Sequence, residues 1–131
     1  MKKADAQHPK SKSLAASFGH ALQGFRHTLL HERNFKIHVA CALLATAACI
    51  FWQVDAVHSF MVMYAIFCVM ALELVNTAVE ALVDLHCGQT PHPLAKIAKD
   101  CCAAAVLLAA IQALLVAVIV AQHLIFDLFG N

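Results

Sequence analysis

Long apolar runs separated by short polar intervals dominate the chain. Residues 37–54 hold only His38, Thr46 and Gln53 among apolar and small side chains, with no formal charge. At 1.5 Å per residue such a stretch makes a helix of roughly 27 Å, close to the hydrocarbon thickness of a bilayer. Residues 56–84 begin with a similar run as far as Leu72 and turn polar at Glu73, and residues 101–128 carry a single charge, Asp127. Hydrocarbon forces each backbone amide to find its partner within its own segment, so these runs predict three transmembrane helices. Ahead of them Leu14, Phe18, Ala21, Leu22, Phe25 and Leu29 recur at helical spacing, while His20, Gln23, Arg26 and His27 fall largely on the other side. That periodicity predicts an amphipathic helix over about 13–34 lying in the membrane surface, with Ser13 as its N-cap. Residues 1–12 read as a flexible basic tail, which leaves 13–131 as one all-α membrane domain.

Composition points the same way. Hydrophobic residues make up 62% of the chain and charged residues 13%, against roughly 45–50% and 25% in soluble domains. A formal net charge of +1 argues against binding nucleic acid through phosphate neutralisation. Lys2, Lys3, Lys10, Lys12, Arg26, Arg33 and Lys36 precede the first run, and Lys96 and Lys99 lie between the second and third. The connection around Asp55 and His58 has no basic residue, so the positive-inside rule places the N-terminus and the 84–99 loop in the cytoplasm and the C-terminus outside. Nothing at the N-terminus has the form of a cleavable signal peptide.

Cysteine and histidine placement does not announce a metal framework. Cys41, Cys49 and Cys68 lie within apolar runs, while Cys87, Cys101 and Cys102 fall on the reducing side, where disulfides are not expected. His86, Cys87, His92 and Cys101 match no standard zinc spacing. His27 and His31 stand at i, i+4, which a solvated helix face explains as readily as metal binding.

The informative anomaly is the inner end of the second run, where Glu73, Asn76, Thr77, Glu80 and Asp84 fall on one helical stripe between apolar neighbours. A carboxylate near hydrocarbon costs several kcal/mol, which makes the stripe a candidate functional site. An interhelical polar clamp in an oligomer is the competing explanation. Three features favour chemistry. Glu73 lies one to two turns deeper than Glu80 and Asp84, a gradient suited to a reaction between a lipid and a soluble substrate. Glu32 reaches a similar interfacial depth at the end of the surface helix, and convergent carboxylates are what Mg²⁺ requires when it bridges protein to nucleotide phosphates. Lys96, Lys99 and Asp100 lie on the same side and supply cations for phosphate. The four glycines are isolated, so no glycine-rich phosphate loop is present.

Glu73-Leu74-Val75-Asn76-Thr77-Ala78-Val79-Glu80-Ala81-Leu82-Val83-Asp84 resembles the signature of the small prokaryotic integral-membrane diacylglycerol kinases and undecaprenol kinases. The blocks 31–38 (HERNFKIH) and 92–100 (HPLAKIAKD) are similar to the family's other cytoplasmic-side blocks, in the same order. The resemblance implies a homotrimer of three-helix subunits in the bacterial inner membrane, with active sites shared between chains and Mg-ATP-dependent phosphorylation of a lipid hydroxyl. It implies that Glu73 is the base for that hydroxyl, that Glu32 and Glu80 bind the metal, and that Asn76 orients the reacting groups. Lys99 would contact the transferred phosphoryl, with Asp84, His92 and Asp100 completing the nucleotide site. Ser13 and His20 occupy positions that face the nucleotide in the family, where some members have Arg and many have Tyr, so base contacts differ here. The loop 85–91 differs in length by about a residue from some relatives. The versions of the blocks at 34–38 and 92–96 lean towards undecaprenol as acceptor, with diacylglycerol the alternative. A non-catalytic oligomer or channel, in which Glu73 and Asn76 only hold helices together, is the reading of another class.

Overall fold

The computed structural model describes residues 13–88 and 90–129, so the expected basic tail lies outside the described residues. Among the described residues all the secondary structure is helical: α1 (Leu14–His31), α2 (Arg33–Phe51), α3 (Ala56–Cys87) and α4 (Pro93–Phe129). The last three are each long and apolar enough to cross a membrane.

Most of the helix ends have a local reason. Ser13 caps α1 by accepting from the Ala16 N–H at 3.2 Å. A single extended residue, Glu32 (φ −91°, ψ 118°), separates α1 from α2 and turns the chain. Phe35, 0% exposed, holds this corner by an edge-to-face contact with Phe25 at 5.2 Å. Thr28 is also buried and returns its hydroxyl to the Gly24 carbonyl. At the far end of α2, Gln53 adopts φ 51°, the left-handed position that more often holds glycine. The Val54 N–H then reaches back to the Cys49 carbonyl at 3.0 Å. Asp55 caps α3 by accepting from the Val57 and His58 N–H groups at 2.9 and 3.2 Å. The hydrogen bond from the His58 ring is the main reason its carboxyl titrates below the ordinary 3.8. Gly88 ends α3 at φ 56°, and α4 starts with Pro93 at its first helical position, where a missing N–H costs nothing.

Several helix ends differ from the apolar boundaries read in the sequence. Helix α3 runs to Cys87 and α4 starts at Pro93, because hydropathy marks the hydrocarbon and not the helix, and nothing in 85–87 or 94–100 breaks the backbone ladder. Conversely, residues 52–54 leave α2 at the left-handed turn. With 32 residues, α3 is about 48 Å long, well beyond the roughly 30 Å of hydrocarbon.

Val62, Ala65 and Val69 on α3 are buried against α4, which contributes Val106, Ala109 and Val120. These small side chains allow close approach of the two backbones. Glu73, next along the same α3 stripe, is also buried, at 3% exposure. Large apolar side chains such as Phe60, Phe67, Leu107, Leu108 and Leu114 remain exposed. So broad an apolar surface calls for lipid or neighbouring chains rather than water. The chain is a multi-pass membrane protein.

Candidate active site

The packing seam of α3 changes character at Glu73. Counting 1.5 Å per residue from Asp55, Glu73 lies about 27 Å along the helix, a length close to the roughly 30 Å of bilayer hydrocarbon, with Glu80 about 10 Å further. The stripe that carries the chemistry is thus the continuation of the stripe that packs the core.

Three segments contribute charged or ionisable side chains to its surroundings. Glu32 at the α1–α2 corner, His38 on α2 and Glu80 on α3 all lie near enough to Glu73 for their charges to act on it. The Asn76 amide donates to Glu80 Oε1 at 3.0 Å, one helical turn apart. Its own Oδ1 is buried without a hydrogen-bond partner. An orphaned buried acceptor is costly, and a hydroxyl or a cation shell placed here would relieve it. Glu32 is half-buried and does no side-chain capping for α2, so its carboxylate is not committed to the backbone. The Thr77 hydroxyl, by contrast, is spent on the Glu73 carbonyl at 3.0 Å.

Towards the water, Lys99 on α4 reaches Asp84 on α3 at 2.5 Å, with Glu80 also within its electrostatic range. Asp100 pairs with Lys96 on the exposed side of α4 at 2.5 Å. His92 Nδ1 accepts from the Leu94 N–H at 3.2 Å, so it caps α4. Ser13 at the cap of α1 and His20 within it are exposed, with Ser13 about 28 Å along the helix from Glu32. The structure thus brings Glu32 and Glu80 within electrostatic range of Glu73, pairs Asn76 with Glu80 and Asp84 with Lys99, and shows no such link to Glu73 for Ser13, His20, His92 or Asp100 among the described residues. His38 is the member that spacing did not single out, and its signal was a lone imidazole inside the first apolar run.

Among the described residues, the oxygens of Glu32, Glu73 and Glu80 do not all approach within 4.8 Å of one another. A magnesium site does not demand that they should. The ion retains waters and phosphate oxygens and often takes only one or two carboxylates.

The model of the prokaryotic diacylglycerol kinases matches residues 19–121. The chain belongs to this family. It is 43% identical over 104 residues to a diacylglycerol kinase of Synechocystis, an alignment covering 79% of this chain and 59% of that one. It is 35% identical over 104 residues to the undecaprenol kinase of Bacillus subtilis, covering 79% of this chain and 84% of the relative. Against the diacylglycerol kinase of Escherichia coli it is 34% identical over 112 residues, with 86% and 88% covered. The family match contains Glu32, Glu73, Asn76, Glu80, Asp84 and Lys99, and leaves Ser13 outside.

Proposed function

We propose that the protein is an ATP-dependent lipid kinase that transfers a phosphoryl group to the hydroxyl of a membrane alcohol. The observation that carries this reading is the burial of Glu73 at the polar end of an otherwise apolar seam, beside Glu32 and Glu80. A lipid hydroxyl arrives from the bilayer side of that point, and a nucleotide from the water side. As the hydroxyl oxygen bonds to the terminal phosphorus and the bond to the ADP oxygen breaks, the hydroxyl proton passes to the Glu73 carboxylate. A primary alcohol is far too weak an acid to ionise beforehand, so the base acts as the new bond forms. Asn76 turns its free Oδ1 to the hydroxyl and so fixes the direction of attack.

Glu32 and Glu80 fit a hard oxygen-ligated cation and would hold Mg²⁺, which supplies charge neutralisation for the triphosphate when bound. Lys99 would leave Asp84 for the transferred phosphoryl. Asp84, His92 and Asp100 line the nucleotide's approach, with Ser13 and His20 reaching it through α1 or a neighbouring chain. On this reading α1 lies amphipathically on the membrane surface, and the chain forms a homotrimer in the inner membrane with its N-terminus in the cytoplasm and its C-terminus outside. A non-catalytic oligomer would instead spend the Asn76 Oδ1 on a donor from a neighbouring chain, and the Glu73→Gln comparison separates the two readings.

An apolar cavity of about 510 Å³ runs from Ile37 and His38 to Trp52 and Leu124, between α2, α3 and α4. Its His38 end lies within electrostatic range of Glu73, and the cavity suits a long hydrocarbon chain. The shared chemistry of the acceptor is therefore a hydroxyl on such a chain. The experiment is transfer of labelled phosphate from Mg-ATP to undecaprenol and to diacylglycerol, each supplied in the same micelles. Label in either lipid supports the kinase reading, and the ratio of the two turnovers assigns the acceptor, with faster labelling of undecaprenol expected. No label in either removes the reading.

The role of Lys99 is tested separately. Lys99→Ala is expected to lower turnover by about a hundredfold, the scale of losing one charge-stabilising donor, with little change in the lipid concentration for half-maximal rate. A lysine that serves only to pair with Asp84 would instead show its loss in thermal stability.

A further inference from the structure

At the opposite end of the bundle from Glu73, a second cluster joins the start of α3 to the end of α4. Asp55 and His58 share a hydrogen bond of 2.5 Å, and His123 Nδ1 lies 3.0 Å from Asp127 Oδ2. The rings of His58 and His123 approach to 4.1 Å between centroids, tilted by 50°. One donor atom from each of Asp55, His58 and His123 lies within 4.8 Å of the others, and no other set of three or more His, Cys, Asp or Glu side chains does so among the described residues.

We infer that Asp55, His58 and His123 form a site for a transition-metal dication of the zinc class, distinct from the proposed magnesium site. Two imidazoles and a carboxylate are a donor set that zinc prefers and magnesium does not. Donors of a tetrahedral zinc ion lie about 3.3 Å apart, given bonds of 2.0–2.1 Å. Rotations of the partly exposed His58, Asp55 and His123 side chains close the remaining gap. Asp127 fits as the carboxylate that orients a ligand imidazole through its other ring nitrogen. The Asp55 carboxylate is already oriented by the two N–H groups that it caps. No covalent bond changes, and the open fourth position takes water. The ion would link the first turn of α3 to the last turns of α4, stapling together the two helices whose seam positions Glu73.

The test is zinc titration calorimetry of the full chain in detergent micelles, with saturating Mg²⁺ present and thiols blocked by alkylation. The wild type is expected to take up one equivalent of zinc per chain that His58→Gln and His123→Gln each abolish, while Asp127→Asn weakens its binding about tenfold. His27→Ala/His31→Ala should keep that equivalent. An equivalent that survives both His58→Gln and His123→Gln, or that vanishes with the His27 and His31 pair instead, overturns the inference. Zinc-edge X-ray absorption of the unaltered protein gives a second reading independent of how the variants fold. Scattering from two imidazoles is expected, and a sulfur shell or fewer than two imidazoles overturns the site.

Discussion

Glu73→Gln is expected to lower phosphoryl transfer to lipid by about a thousandfold while leaving the protein folded, because a positioned general base contributes roughly 10²–10⁴-fold. Gln preserves the shape and the hydrogen-bonding capacity of the side chain but cannot take up the hydroxyl proton. The usual objection, that a buried substitution merely unfolds the protein, runs the wrong way here. Glu73 is 3% exposed and makes no side-chain ion pair among the described residues, so removing its charge removes a desolvation cost. The variant should therefore unfold at the same temperature as the wild type or above it. Sedimentation in detergent should give the same particle for both. If Glu73 only clamped helices, Gln would serve as well, and labelled phosphate would reach lipid at the wild-type rate. That outcome would remove the base while leaving the family assignment untouched.

How much of this site the sequence disclosed depends on how its members are connected. Asn76 and Glu80 are one turn apart on one helix, so their pairing is a matter of spacing, and the stripe from Glu73 to Asp84 needs only the period of 3.6. The three long apolar helices are legible because a bilayer admits few alternatives. The corner at Glu32 is different. No proline or glycine marks it, and it depends on Phe25 meeting Phe35, a contact between residues on either side of the bend. The apolar periodicity therefore runs on to residue 34, past the helix end at His31. Without that corner the proximity of Glu32 and His38 to Glu73 has no local signature. The ion pairs are harder still: Lys96 and Lys99 are near neighbours in sequence, yet one pairs with Asp100 on its own helix and the other crosses to Asp84. The side of α4 that faces α3 decides between them. His58 and His123 meet only because α3 and α4 pack antiparallel over nearly their full length, a relation that no short motif encodes.

Glu80 acts either on a metal or on Asn76, and two substitutions separate these roles. Glu80→Gln retains an oxygen that accepts from the Asn76 amide, replacing the 3.0 Å bond seen to the carboxylate, but carries no charge for a cation. Glu80→Ala removes both. If Glu80 is a magnesium ligand, each should raise the Mg²⁺ concentration for half-maximal activity by at least about tenfold, since even residues that merely orient ligands are worth 10–100-fold in affinity. Glu32→Ala should shift it in the same direction, because its carboxylate is not engaged in capping. Such a shift in metal dependence, with ATP held saturating, is a readout that loss of packing does not produce. A normal Mg²⁺ requirement in Glu80→Gln, with impairment confined to Glu80→Ala, would make Glu80 a positioning residue for Asn76. Normal requirements in all three variants would place the metal on other oxygens, with Asp84 next in line once Lys99 turns to the phosphate.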